Sequence, residues 1–168
     1  MPLEERRTMN QGKIFEENFK KSIPKDTYYQ RLHDSSIGFD IENSTQRFAL
    51  KSPYDCILYR KGNMYCLELK STKDKAISYA GSNPKIKEHQ VKELIKASGY
   101  GCNAGFILNF RSTGNTYYLP IAQFNFIVHS SNKKSFSESD IKGISILIPC
   151  KKLKVNYRYD LTVLVGGD

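Results

Sequence analysis

The stretch whose reading decides the fold is DCILYRKGNMYCLELKS, residues 55–71. Two runs of strand-forming side chains flank Lys61-Gly62-Asn63, and Gly-Asn is a tight-turn pair, so the pattern predicts a β-hairpin. With Gly62-Asn63 as a two-residue loop, Asp55 faces Lys70 and Ile57 faces Glu68. Side chains two apart on a strand share a face, so Asp55, Glu68 and Lys70 project from one side of the ribbon. Glu68 is then the diagonal neighbour of Asp55 at roughly 7–8 Å, within reach of one bridging ion. A one-residue slip would send Asp55 to the opposite face.

Two acids and a lysine inside an otherwise apolar hairpin need a physical reason, because a buried carboxylate is costly unless it is paired or ligates a cation. Two arrangements meet that need. One is a structural ion pair of Lys70 with Asp55 or Glu68 on a solvated sheet face. The other is a divalent-metal site of hard oxygen ligands suited to Mg²⁺ or Mn²⁺.

On the N-terminal side, Asn10 is a helix cap, and GKIFEENFKKSI carries Ile14, Phe15 and Phe19 on one side, predicting a helix over 11–22 ended by Pro24. TYYQRLH (27–33) alternates like a strand, and residues 34–54 show no clear pattern. Beyond the hairpin, 72–85 reads as a loop. Residues 86–98 place Val91, Leu94, Ile95 and Ser98 at helical spacing before Gly99. CNAGFILNF (102–110) and NTYYLPI (115–121) read as strands joined at Thr113-Gly114, with a short helix over 120–128 opened by Pro120. Residues 129–140 read as a loop, GISILIP (143–149) as a last strand, and KKLKVNYRY (151–159) as a basic end. The order is that of a mixed α/β domain with helices covering a central sheet. The expected organisation is a loose segment 1–9, one domain over 10–150, and a basic segment 151–168 packed on it.

The 168 residues, 39% hydrophobic with 11 Tyr and 9 Phe, suffice for one domain with a real core, which argues against wholesale disorder. No apolar run approaches the roughly 18 residues of a membrane span, and the N-terminus lacks the apolar stretch of a secretory signal. The four cysteines, at 56, 66, 102 and 150, match no zinc spacing and read as reduced thiols of a cytoplasmic protein. The net charge of +9 is carried beyond residue 40: residues 1–40 balance 7 basic against 7 acidic side chains, while 41–88 and 89–168 have excesses of 4 and 5. Such a balance favours polyanions, above all nucleic acid.

The residues now singled out carry a resemblance. Asp55 followed by Glu68-Leu69-Lys70 resembles the D-(x)n-E-x-K signature of the PD-(D/E)XK nuclease superfamily, with Pro53 just ahead of the acid. Asn10-Gln11-Gly12-Lys13-Ile14-Phe15-Glu16 resembles the opening N-R-G-x-x-x-E of RecU-type Holliday junction resolvases. Ser52-Pro53-Tyr54-Asp55 is similar to the family's S-T-T-D, Cys66–Thr72 to its F-E-A-K-E-T, and His89-Gln90 to its H-Q ahead of the second helix. The resemblance spans roughly residues 10–125. Gln11 departs from the pattern by replacing an arginine, and the stretch from Glu16 to Asp55 is shorter than in bacterial RecU, whose insertion there forms a junction-engaging stalk. Short, divergent relatives of this kind are typical of phages, which would place the protein in a host-cell cytoplasm.

The resemblance implies a restriction-endonuclease-like α/β core and a metal-dependent endodeoxyribonuclease acting on four-way or other branched DNA as a homodimer, in recombination and repair. It implies one or two Mg²⁺ ions per subunit, with Mn²⁺ as the substitute, held by Asp55, Glu68, the Leu69 carbonyl and Glu16. Lys70 would position the attacking water, and Gln90 would contact the backbone or orient water. Glu17 stands in for Glu16 if the helix phase is off by one, and His89 reads more simply as a capping or packing residue. Phosphate contacts would come from Lys51, Arg60, Lys61, Lys73, Lys75, Lys85 and Lys87 around the site, and from Lys151, Lys152, Lys154 and Arg158 at the C-terminal end. Gly12 would let its helix approach another backbone. The alternatives are a nuclease of the same fold with a restriction or repair substrate, and a basic DNA-binding protein without catalysis.

Overall fold

The computed structural model describes residues 10–37 and 48–167. The expected loose segment 1–9 lies outside them. The elements run α1 (Gln11–Lys21), β1 (Tyr28–Arg31), β2 (Ser35–Ile37), β3 (Phe48–Leu50), β4 (Cys56–Arg60), β5 (Asn63–Thr72), β6 (Ala76–Ser78) and α2 (Glu88–Gly99). They continue with β7 (Asn103–Phe110), β8 (Asn115–Pro120), α3 (Ile121–Ser130), β9 (Ser135–Ser137), α4 (Glu138–Ile141), β10 (Ile146–Ile148), β11 (Cys150–Lys152), β12 (Tyr157–Tyr159) and α5 (Thr162–Val165). Six strands form the central sheet in the order β1-β4-β5-β7-β8-β10. All its pairs are antiparallel except β5 and β7, which run parallel and are joined by the α2 crossover. The mixed sheet flanked by helices is the fold class expected from the sequence.

Each face of the sheet has its own core, as alternation along buried strands requires. On one side, Cys66, Phe106, Leu108 and Leu119 meet Leu94 of α2 and Phe124 and Ile127 of α3. On the other, Leu58, Leu67, Leu69, Ile107 and Tyr118 meet Phe15 and Phe19 of α1 and the C-terminal Tyr159, Leu161, Leu164 and Val165. The end of the chain is therefore part of this core. Cys56 and Cys66 are buried among these side chains, as small hydrophobes. The α1 cap is the expected one: the Asn10 side-chain oxygen accepts the Gly12 N–H at 3.0 Å. Gly12 makes no close approach to a distant backbone; a Cβ there would meet only the Asn10 side chain. Gly105 is the glycine that packing demands, since a Cβ there would strike the Leu119 carbonyl and the Tyr118 ring on the adjacent β8.

Three readings of the sequence are corrected. The hairpin turns at Lys61-Gly62, not Gly62-Asn63: both have positive φ, 48° and 83°, and Arg60 pairs with Asn63. Two consecutive left-handed residues form the tight turn that matches strand twist, and Asn63 opens β5. The segments read as loops at 72–85 and 129–140 each contain a short strand, β6 and β9, which pair with each other, and 129–140 also holds α4. Their anchors, Ile77 and Phe136, are buried, but a three-residue strand whose partner is some 60 residues away leaves little periodicity to read. Residues 34–54, which had no reading, include the antiparallel pair β2 and β3.

Candidate active site

Moving the turn by one residue shifts the hairpin register by two, so the faces survive and the pairing changes. Cys56 lies opposite Leu67, which sets Asp55, just ahead of β4, opposite Glu68 rather than Lys70. The two acids are direct neighbours instead of diagonal ones. Asp55 is held by backbone: its N–H donates to the Leu67 carbonyl at 3.1 Å, and its Oδ2 accepts the Leu69 N–H at 2.7 Å. Glu68, 3% exposed, projects to the α2 side of the sheet beside Phe106. Lys70 Nζ donates to Glu68 Oε1 at 2.7 Å, and the Gln90 carboxamide donates to the same oxygen. Gln90 in turn accepts the Lys87 N–H through Oε1 at 2.9 Å, so the first turn of α2 fixes both ends of this amide.

Burial raises the pKa values of both acids, and a neighbouring carboxylate adds to each. For Glu68 desolvation leads, followed by the Asp55 charge, with Lys70 opposing. For Asp55 desolvation again leads; the Leu69 N–H opposes it, and the Glu16 charge adds to it. Two half-buried or buried carboxylates pushed against each other, with the Leu69 carbonyl next to Glu68 in sequence, form a hard-oxygen set whose repulsion a divalent cation would remove. The donor chemistry therefore fits Mg²⁺ or Mn²⁺.

Glu16 arrives from α1, which covers the opposite face, and its carboxylate is ion-paired with Arg31 of β1. It is near enough for its charge to act on Asp55. Even so, among the described residues no three His, Cys, Asp or Glu side chains cluster so as to hold an ion by themselves. The structure thus joins Glu68, Lys70 and Gln90 by hydrogen bonds, holds Asp55 opposite Glu68 on the Leu69 N–H, and sets Glu16 beside them in the hand of Arg31. Glu17 is exposed on α1. Sequence reading missed Arg31. It lies opposite Cys56, the residue after Asp55, and the only signal for it was a cation in an otherwise tyrosine-rich strand.

His89 is half-buried beside the site, and burial, Lys51 and Lys70 lower its pKa. Asp34 accepts both the Ser52 N–H, at 2.7 Å, and the Ser52 hydroxyl, at 3.0 Å, pinning the segment that leads into Asp55.

The basic residues divide. Lys51, Lys61, Lys73, Lys75, Lys151, Lys152, Lys154 and Arg158 are exposed, the last four on the β11–β12 hairpin. Lys85 is exposed but binds Thr72 and Asp74 at 2.5 Å each, and Lys87 binds Asn83 at 2.7 Å. Arg60 is the correction. It is 3% exposed and forms a two-nitrogen ion pair with Asp26 at 2.7 and 2.9 Å, so it belongs to the fold rather than to a DNA surface. Among the described residues no helix is long and apolar enough to cross a membrane.

One known family and two known proteins are similar to this chain. The family model of RecU, Recombination protein U, matches residues 10–162. The SPbeta prophage-derived uncharacterized protein YotM of Bacillus subtilis (strain 168) is 33% identical over 172 residues, covering 94% of this chain and 86% of that protein. The solved structure of Archaeoglobus fulgidus Hjc, described as a Holliday junction resolvase from an archaeal hyperthermophile, aligns at 14% identity with a TM-score of 0.47, covering 81% of this chain and 91% of that one. The match to the family model takes in α1, the hairpin with its two acids, the α2 crossover and the C-terminal strands, and the chain belongs to the RecU family.

Proposed function

We propose that this protein is a divalent-metal-dependent endodeoxyribonuclease that resolves four-way DNA junctions, working in the cytoplasm as a homodimer. The observation that carries the chemistry is the convergence of Asp55, Glu68 and Lys70 at one end of the β4–β5 hairpin, with Gln90 locking Glu68 from α2. Membership of the RecU family supports the junction substrate. Bound Mg²⁺ or Mn²⁺, one ion or two, would supply Lewis acidity toward the scissile phosphate and a water of lowered pKa.

The rest falls to the chain. Asp55, Glu68 and the Leu69 carbonyl would hold the cation. Lys70, beside Glu68, would orient the attacking water and stabilise charge growing on the phosphate. Glu16 and Arg31 set the field on the α1 side. The exposed lysines hold the backbone without reading sequence. A junction must be cut on two strands symmetrically, which a two-fold dimer with two such sites achieves.

A synthetic four-way junction incubated with and without Mg²⁺ tests this reading. Paired, symmetric nicks with Mg²⁺, none in EDTA, and none from Lys70→Ala are the expected result. Equal cutting of linear duplex would remove the junction claim, and absence of cutting at any Mg²⁺ or Mn²⁺ concentration would remove the nuclease.

A further inference from the structure

A cavity of about 260 Å³ lies on the α1 side of the sheet, beginning at Ser71, the residue after Lys70. That is several times the roughly 30 Å³ a water takes up, so the space suits a ring rather than single solvent molecules. Its floor is polar: Ser71 donates to Asn109 Oδ1 at 2.9 Å, and Asn109 donates to Thr116 at 3.0 Å, which leaves Asn109 satisfied. Its wall is aromatic. Tyr157 and Tyr159 lie two apart on β12 and face the same way, and Phe15 meets the Tyr159 ring edge-on at 5.6 Å. The exposed Gln11 and Arg111 stand at the mouth.

Asn18 lines the same cavity and is 3% exposed as a residue; its carboxamide has no hydrogen-bond partner among the described residues and opens into the cavity rather than being sealed in the core. Its backbone carbonyl accepts the Ser22 hydroxyl. A polar group that faces a cavity with no protein partner is free to pair with what enters it. An unpaired amide that can both donate and accept, between aromatic rings and with a guanidinium at the entrance, is the chemistry that recognises an unstacked nucleobase and its phosphate.

We infer that this cavity receives one nucleobase extruded from the DNA within a few nucleotides of the scissile phosphate, with Asn18 pairing its edge and Arg111 holding its phosphate. The inference rests on the reading of the protein as a junction nuclease. Unstacking costs least at a branch point, where the continuous stack of the duplex is already interrupted, so such a pocket favours junctions over intact duplex.

The test uses the full chain and junctions carrying an abasic residue at each position within three nucleotides of the cut, with Ca²⁺ in place of Mg²⁺ to hold off cleavage. At one position the missing base should weaken wild-type binding several-fold, while Asn18→Leu binds both junctions alike. 2-Aminopurine at that position should brighten severalfold with wild type and not with Asn18→Leu. Tyr157→Ala, on the exposed wall, is the second variant and should blunt the same signals; thermal melting confirms that both variants fold. If abasic substitution is felt equally by wild type and variants at every position, or 2-aminopurine stays at its duplex intensity throughout, the pocket holds no base and the inference is overturned. Saturable binding of free deoxynucleoside monophosphates at micromolar concentration would instead assign the pocket to a free nucleotide and overturn the DNA source. Because these readouts are binding and fluorescence, a protein that cuts junctions without unstacking a base loses only this inference, whereas one that neither binds nor cuts them loses the proposed function.

Discussion

Lys70 from β5 and Gln90 from the α2 crossover donate to one and the same oxygen, Oε1 of Glu68. Oε2 receives neither. Outer partners of this kind typically change metal affinity or activity about 10–100-fold when removed. Gln90→Leu, close in volume but unable to donate, should slow junction cleavage by on the order of tenfold or more and raise the Mg²⁺ concentration needed for half-maximal rate. Junction affinity measured in Ca²⁺ should not change. A variant with wild-type Mg²⁺ dependence would show that the amide merely caps α2.

The Asp55 charge bears on Glu68 across the hairpin. Asp55→Asn keeps an oxygen for the Leu69 N–H and removes one of the two charges. Cleavage should fall by on the order of 10²-fold or more, as when one preorganised electrostatic interaction is removed from a transition state. The melting temperature in EDTA should stay level or rise. A large loss of stability would mean that the carboxylate is a structural partner rather than a ligand.

Arg31 neutralises Glu16 next to Asp55. With Arg31→Ala, the Glu16 charge is left facing the pair of acids, and single-turnover cleavage should drop by roughly tenfold or more, since a charge interaction at an effective dielectric of about 20 is worth about 4 kcal/mol at about 4 Å and still about 1.4 kcal/mol at about three times that separation. Arg31→Lys should recover part of the loss. Unchanged rates in both variants would confine Arg31 to packing.

The central hairpin was legible because its strand runs are long and flank a glycine turn, and the parity argument that places Asp55, Glu68 and Lys70 on one face tolerates an error of two in register. Direct opposition of Asp55 and Glu68 was not legible, because Lys61 adopts a left-handed conformation that side chains other than Gly, Asn and Asp rarely take. Arg60 read as a surface cation, since a sequence does not announce that Asp26, 34 positions earlier, will fold over it. Arg31 and Asn18 were silent for a related reason: an arginine in a short strand and an asparagine in an amphipathic helix gain meaning only from what tertiary packing puts opposite them.

The β11–β12 hairpin should behave as a phosphate-binding arm. Replacing Lys151, Lys152, Lys154 and Arg158 together by alanine should weaken binding to all junction sequences alike. The slope of log affinity against log salt should flatten by up to about 0.9 for each phosphate that the arm no longer neutralises. Arg60→Ala serves as the contrast: it should lower the melting temperature and leave the salt slope as it was.

Gly105 sits where β7 and β8 approach too closely for any side chain. Gly105→Ala should destabilise the fold by about 1–3 kcal/mol, the usual cost of overpacking, visible as a lower urea midpoint. An unchanged midpoint would show that the two strands separate at no cost.

Because β5 and β7 run side by side in the same direction, the strand bearing Glu68 and the helix bearing Gln90 meet only after the chain has looped over the sheet and come back. Such non-local pairing is intrinsically slow to form. The hairpin alone brings Asp55, Glu68 and Lys70 side by side from neighbouring stretches of chain, whereas the amide that clasps Glu68 arrives only with the returning helix, so the grouping is complete only once the whole sheet has closed.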